Sequence, residues 1–519
     1  MAIYVFSLLV GYAPNGVDYA QGYRAGILRK FPYPVHYIFA EIPRRHDIDF
    51  YKGIGIREEE MLSMHHYFLN HSALQLTVKV KDKLEELEEA LQITDIVYRG
   101  MEIQLMRNGS VAAAMVPASG NQDYLLEIHY FNQSKLIRTE VYTDGLAYAD
   151  CFVTAESERG PYAKRTRRIY YHRDGSVAYE QIFEDEKFQY LFPDGRILTR
   201  SEFIAEFVRK LNLSKEDTVL IDRFAQFDYV QPLFQRGQKA KMIAVMHAGH
   251  YFEEGESAYT VNFNQDYNYL MRYTGMIDGI VVSTQQQKEE LTEKLLEYGR
   301  SVPDIRVIPA GGVDKLRYPD GERRPYSILS VSRIQTHKRL HWIIWSVIKA
   351  HQKNDRISLD VYGSGSIDYL NALKKTVENH QAGSYIRFMG HKDVKEVYKD
   401  YELFMTASTF ETLGLSILEA VSSGDAVIGL TVKYGSLLLI HPGENGYLID
   451  FTPGHDSEEE ERIIGDMAER IVEVFEDRER LEKFQERSYG IAEGFSAQIV
   501  EDKWGQLLQE TMEYCKGAD

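Results

Sequence analysis

The feature that most constrains this chain is a series of short, apolar segments in residues 204–519, alternating with stretches of helical character. They read as strands at Thr218–Asp222, Met242–Met246, Gly279–Ser283, Arg306–Ile308, Tyr326–Ser332, Ser358–Tyr362, Tyr385–Met389, Phe404–Ala407, Ala426–Leu430 and Tyr447–Ile449. Helices such as Lys338–Gln352 and Leu415–Ser423 lie between them. Strands this apolar must be covered on both faces, and alternating helices do that around parallel sheets. So many strands do not fit one compact sheet. The break is expected near residue 315, where Tyr318-Pro319-Asp320-Gly321-Glu322 reads as a linker.

The start of the chain has the same character. Ile3–Val10 reads as a continuous apolar strand, followed by a Gly-Tyr-Ala-Pro-Asn-Gly loop, a helix over Val17–Lys30 and a strand at Tyr37–Ala40. Between about 73 and 203 the pattern changes to short alternating runs at Leu74–Val80, Glu127–Phe131, Arg167–Tyr171, Val177–Ile182 and Phe188–Phe192. Turn signals separate them, notably Arg173-Asp174-Gly175 and Pro193-Asp194-Gly195, as in the hairpins of an antiparallel sheet. The expected organisation is an α/β fold with two Rossmann-like domains. Residues 1–72 and 204–315 form the first, and 316–519 the second, with its final helices crossing back. Residues 73–203 form an inserted β-sheet domain. At about 150 residues per domain, the 519-residue length agrees with three or four such bodies. The many tyrosines of the inserted region either pack a modest sheet or present an aromatic surface for a partner protein.

Composition excludes several classes. The net charge of −18 repels nucleic-acid phosphates over most of the surface, which disfavours nucleic acid as a partner yet allows a local Arg/Lys pocket to hold a diphosphate. Two cysteines, Cys151 and Cys515, build neither a disulfide scaffold nor a cysteine-rich metal site. The opening MAIYVFSLLVGYAPNG lacks a basic leading region and reads as a buried strand rather than a signal peptide. No stretch approaches the roughly 20 apolar residues that span a bilayer, so a cytoplasmic protein is expected, reaching the membrane only through a partner. The acidic run Asp456–Glu461 reads as a solvated loop.

Four segments can carry chemistry. In Thr406-Ala-Ser-Thr-Phe-Glu411-Thr-Leu-Gly414-Leu-Ser-Ile-Leu-Glu419, a strand ends, a loop carries Glu411, and a helix begins whose free N–H groups suit phosphate. On helical geometry the two glutamates are about 12 Å apart in rise and roughly 80° apart in angle. That is too far for the paired carboxylates of a glycosidase, which need roughly 5–9.5 Å. They either grip two ends of an extended ligand or serve as a cap and a solvated side chain. Arg333 and Lys338 follow an apolar strand, where open α/β sheets bind ligands; there they either neutralise a leaving diphosphate or form an ordinary surface pair. The Gly11–Gly16 loop permits close backbone approach but matches neither Walker A nor Gly-x-Gly-x-x-Gly. His247 and His250 stand at another strand end and could bind a metal, though no nearby third ligand supports it; His247 could equally hydrogen-bond a sugar or pack as a core residue.

Taken in order, Glu411-x7-Glu419, the Arg333-x4-Lys338 cluster and the N-terminal glycine loop resemble retaining family 4 glycosyltransferases of GT-B fold, with two facing Rossmann-like domains. Gly16-Val-Asp-Tyr-Ala-Gln-Gly-Tyr-Arg-Ala-Gly26, Met246-His-Ala-Gly-His-Tyr251 and the inserted hairpins are similar to the GtfA-type catalytic subunits that begin O-glycosylation of serine-rich repeat adhesins in accessory Sec systems. The resemblance implies a UDP-GlcNAc or UDP-glucose donor, Ser/Thr acceptors in a serine-rich repeat polypeptide, and a GtfB-like partner docked on the inserted sheet. The UDP-sugar is then a substrate; no cofactor or metal is expected. It further implies that Arg333 and Lys338 contact the diphosphate, Glu419 the ribose, and Glu411 the sugar with backbone donors from Thr412, Leu413, Gly414 and Leu415. Gly16 would admit the donor phosphate and His247 would flank the sugar. Gly363 is counted with the donor residues, and Gly390 and His391 would lie near uracil. Relatives usually carry Gly-Phe-Gly after the first glutamate, where this chain has Thr412-Leu413-Gly414, so the Thr412 side chain is expected to narrow the sugar pocket. Gly249 stands where relatives often carry a glutamate. A wall teichoic acid α-glycosyltransferase, a non-catalytic acceptor-binding subunit and a nucleotide-sugar epimerase are the competing readings. The first needs a basic groove, the second turns over no donor, and the third converts donor without acceptor.

Overall fold

A computed structural model describes residues 2–7, 16–43, 45–70, 75–118, 120–158, 160–185, 187–224, 230–234, 239–257, 260–454 and 457–516. The chain divides into two compact units, one of Met1–Leu9, Pro34–Val219 and Gln226–Ala240, the other of Val10–Tyr33, Leu220–Ala225 and Lys241–Asp519.

In the first unit, strands Ile3–Ser7, Val35–Phe39 and Met61–Ser63 run parallel, with Ile3 opposite Val35 and Tyr37 opposite Met61. A ten-stranded antiparallel sheet follows, from Asp95–Arg99 to Ile197–Leu198, in which each strand pairs with its neighbours in sequence. The two Asp-Gly turns form as expected. Asp174 Oδ1 accepts from Ser176 N at 2.9 Å, and Asp194 Oδ1 from Arg196 N at 3.0 Å. One face of the sheet packs under helix Val80–Leu91 through Leu87, Leu105, Met115 and Ile128. Elsewhere Tyr170, Tyr179 and Tyr190 are fully buried against His65 and Phe203. These tyrosines therefore build core, whereas Tyr98 and Tyr162 stay exposed.

One expectation fails here. Residues 75–79 form no ladder strand beyond a single bridge from Lys79 to Tyr124, and Val80 opens a helix; Leu74 lies outside the described residues. The apolar spacing Val80–Leu84–Leu87–Leu91 is helical, and helix Val80–Leu91 supplies the cover that the sheet needs. Strands Glu102–Arg107, Ser110–Ala118, Lys135–Thr143 and Gly145–Ser157 are additions to the expected set.

In the second unit, strands Lys241–Val245, Gly279–Val282 and Asp304–Val307 lie side by side in parallel, with helix Gln285–Glu297 following the middle one. A separate six-stranded parallel sheet has the order Ile386–Gly390, Ser358–Tyr362, Ser327–Val331, Leu403–Met405, Ala426–Leu430, Gly446–Ile449. Numbered along the chain this is 3-2-1-4-5-6, the doubly wound order that opens a crevice beside its first strand. Helices Leu340–Lys353 and Ser457–Glu476 cover one face through Trp342, Val347, Ile463 and Ile471. Leu415–Ser422 and Arg478–Glu493 cover the other through Ile417, Val421 and Ile491. The acidic run is a helix rather than a loop. Glu458–Glu460 occupy its first turn, where carboxylates oppose the positive dipole end, and Ile463, Ile464 and Met467 behind them are buried; Asp456 lies outside the described residues. The last helix, Ala497–Lys516, packs on helix Gly16–Leu28, with the Arg24 guanidinium over the Trp504 ring at 5.4 Å.

Candidate active site

Strand Ser327–Val331 delivers Arg333 to the crevice end of its sheet. The approach requires a glycine opposite. A Cβ on Gly363, at φ +141, would lie 1.9 Å from Ser332 O, so no side chain fits there. The Arg333 guanidinium is half-buried and makes no hydrogen bond or ion pair among the described residues. Burial holds it below the ordinary guanidinium range; Asp18 and Glu411 oppose that shift, and Arg223 adds to it.

Lys338 closes the turn after the same strand. Its Nζ donates to Ser408 Oγ at 3.0 Å and pairs with Glu411 Oε1 at 2.8 Å. Glu411 is itself clamped through its backbone. Its N–H donates to Lys433 O at 3.1 Å, and its carbonyl accepts from Tyr434 N at 2.6 Å and Gly435 N at 2.7 Å. The expected helical offset between the glutamates does not apply, because the helix begins at Leu415 with Gly414 as its cap and Glu411 stands in the preceding loop. Glu411 therefore caps nothing. Glu419 is exposed to solvent although protein surrounds it densely, as on the floor of a cleft. That crowding raises its carboxyl, and the Tyr398 hydroxyl at 2.7 Å, Arg317 and Lys395 oppose the rise.

Thr412 is buried, and its hydroxyl donates to His247 O at 2.8 Å. Its polar end is thus turned to the His247 loop. The two loops meet closely, since a Cβ on Gly249 would lie 2.7 Å from the Phe410 ring. His247 Nε2 lies 2.7 Å from Asp222 Oδ1, which also accepts from Arg24 Nη1 at 2.9 Å, while Asp222 Oδ2 accepts from Gln21 Nε2 at 3.0 Å. Burial alone would raise the Asp222 carboxyl, but Arg24 and His247 hold it well below the usual carboxylate range. An ionised carboxylate only accepts, so His247 Nε2 supplies the proton of this hydrogen bond. His250 differs. Its ring is fully buried, neither nitrogen has a hydrogen-bond partner among the described residues, and burial pushes it down to about 4.

Helix Gly16–Leu28 brings its first turns to the same place. Asp18 pairs with Arg223 at 2.8 Å and lies within electrostatic reach of Arg333, as Tyr19 does of Glu419. Gly16 is the first residue of that helix; Gly11 to Asn15 lie outside the described residues. Leu413 packs into the core and Leu415 is half-buried. Gly390 ends its strand, its carbonyl accepting from Gly363 N at 2.9 Å, and His391 is exposed just beyond. Arg333, Lys338, Glu411, Thr412 and His247 thus come together, while His391 shows no contact with them.

Two family models match this chain: glycosyl transferases group 1 over residues 317–490, and the GtfA extended beta-sheet domain over 98–194. The UDP-N-acetylglucosamine–peptide N-acetylglucosaminyltransferase GtfA subunit of Streptococcus gordonii is 32% identical over 98% of this chain and 99% of its own length. This chain belongs to the GtfA family of GT-B glycosyltransferases. The crystal structure of the pneumococcal O-GlcNAc transferase GtfA in complex with UDP and GlcNAc is 30% identical and superposes with a TM-score of 0.89 over 99% of both chains. A crystal structure of a GtfA/B complex gives 32% identity and a TM-score of 0.85 over 99% of this chain and 100% of that one. In this GtfA-family chain, sequence reasoning missed Asp18, Gln21, Arg24 and Asp222. The first three recur every third residue along one helix face, and Asp222 ends an apolar strand. That spacing is the signal that could have found them. Among the described residues no group of three or more His, Cys, Asp or Glu could hold a metal ion, and no helix is long and apolar enough to cross a membrane.

Proposed function

We propose that this glycosyltransferase moves N-acetylglucosamine from UDP-GlcNAc to serine or threonine hydroxyls of a serine-rich repeat polypeptide, with retention at the anomeric carbon. The observation that carries the reading is the half-buried Arg333 guanidinium at the sheet's crevice, without an ion pair among the described residues, beside the Lys338–Glu411 pair. Arg333 and Lys338 bind the diphosphate, with Lys338 leaving Glu411 as phosphate arrives. Glu411 then takes the sugar, assisted by backbone donors from Thr412 to Leu415, and His247 flanks it. Glu419 holds the ribose, Gly16 admits the phosphates, and Gly363, Gly390 and His391 border the nucleotide, on the lobe formed by 316–519.

The bond from the anomeric carbon to the β-phosphate oxygen breaks as the acceptor oxygen bonds to that carbon on the same face. The hydroxyl proton passes to the departing phosphate oxygen, so no protein nucleophile is needed. Cations fixed in a desolvated site stabilise the growing phosphate charge without reorganising. With both charges supplied by side chains, a chelator is expected to leave turnover unchanged.

A soluble nucleotide-sugar donor fits a cytoplasmic enzyme, with the membrane reached through a partner. That partner is a GtfB-like acceptor-binding subunit. Val153, Tyr162 and Ile182, exposed by 49%, 47% and 45%, share one face of the antiparallel sheet with Lys164 and Arg167, a mixed apolar and charged face that supports docking of such a subunit. Incubation with UDP-GlcNAc or UDP-glucose, and with a serine-rich peptide or a polyol-phosphate polymer, tests the reading. GlcNAc on the peptide is expected, and sugar found only on the polymer would refute it.

A further inference from the structure

The loop that carries Glu411 is held in place by a second carboxylate, Glu290, which no step above uses. Glu290 stands on helix Gln285–Glu297 and is largely buried. Its Oε2 accepts from Tyr434 Oη at 2.8 Å and Tyr251 Oη at 3.3 Å, and its Oε1 from Gln286 Nε2 at 3.1 Å, while Lys433 Nζ pairs with it at 3.0 Å. Burial would raise its carboxyl, yet Lys433 and Tyr434 hold it below the ordinary range. The segment Lys433–Gly435 therefore faces two ways. The side chains of Lys433 and Tyr434 go to Glu290, and the backbone goes to both the N–H and the carbonyl of Glu411. The Phe410 ring, one residue before Glu411, meets the Tyr434 ring edge-on at 5.9 Å.

We propose that Glu290 is a positioning residue for sugar transfer: by fixing Lys433 and Tyr434 it sets the Glu411 backbone, and with it the carboxylate that meets the sugar. This rests on the assignment of Glu411 to the transferred sugar. A reacting group displaced by about 1 Å costs on the order of 10²-fold in rate, so loosening a clamp of this kind acts on turnover before it acts on nucleotide affinity. A purely structural Glu290 would lower the melting temperature and leave the turnover of the folded fraction alone.

The test compares Glu290→Ala, Glu290→Gln and Tyr434→Phe in the full chain with its partner subunit. It reads kcat and KM for UDP-GlcNAc with a serine-rich peptide, UDP affinity by calorimetry, and Tm. Glu290→Ala is expected to lower kcat roughly tenfold or more while UDP affinity stays within about twofold. Glu290→Gln, which still accepts from both phenols, restores most of the rate. Combined with Glu411→Gln, Glu290→Ala adds no further loss, because both act through one group. Unchanged kcat in Glu290→Ala, or losses that multiply in the double variant, overturn the proposal. If Glu290→Ala does not fold, Tyr434→Phe decides, with a several-fold drop in kcat at constant UDP affinity expected and no drop refuting it. Glu411→Gln alone tests the underlying assignment: wild-type turnover there removes the sugar role of Glu411, independently of any Glu290 variant.

Discussion

At the scale of single residues, the site depends on side chains that must be absent as much as on those present. Gly363 leaves room for Ser332 O, so Gly363→Ala must displace the strand end that carries Arg333. A cost of about 1–3 kcal/mol and a clear loss of turnover are expected, readable by denaturant titration and donor assay; a stable, fully active variant would contradict the packing. His250 supplies a pH effect. Its folded ring titrates at about 4 against an ordinary 6.5, so the unfolded chain binds its proton first as pH falls. The contribution is complete above about pH 6.5 and is lost toward pH 4, at up to about 1.4 kcal/mol per unit. His250→Phe should flatten that part of the stability–pH curve, and an unchanged slope would place the titration elsewhere. Arg333, Lys338 and Glu411 were legible because each follows an apolar strand that sets its position. The Thr412 hydroxyl was not. Its partner, the His247 carbonyl, lies 165 positions away, and one strand's pattern does not say which other loop it meets.

At the scale of elements, alternating strands and helices were legible wherever burial was complete on both faces. Ser358–Tyr362 and Ala426–Leu430 match residue for residue. The half-exposed meander was less so. Gly145–Ser157 mixes small, polar and aromatic residues on a face that is partly solvent-exposed, and its period is broken by bulges. The helix Gly16–Leu28 carries the polar strip that holds Asp222 and, through it, His247. Asp222→Ala removes the buried carboxylate that Arg24 and His247 share, and a loss of about 3–5 kcal/mol in unfolding free energy is expected; a loss below about 1 kcal/mol would show that other groups or solvent replace it. Thr199 and Glu202 form a reciprocal cap on Arg200–Leu211, so Thr199→Ala should cost about 1 kcal/mol by the same titration.

At the scale of the whole molecule, partner docking and donor chemistry are expected to be separable. Charged substitutions on the exposed sheet face, Val153→Lys with Ile182→Glu, should weaken binding of the acceptor-binding subunit by about tenfold or more in a pull-down titration. UDP release from UDP-GlcNAc by the isolated chain should persist. Loss of both would mean that the sheet supports the fold of the catalytic residues rather than a partner. The proposed chemistry rests on Arg333, which makes no hydrogen bond or ion pair among the described residues, meeting the departing diphosphate. Its most direct measurement is the single-turnover rate of GlcNAc transfer to a serine-rich peptide at saturating UDP-GlcNAc, for the wild-type chain and folded Arg333→Ala. A loss greater than about 10²-fold is expected in the variant, and a near-normal rate would contradict the role of Arg333 at the diphosphate.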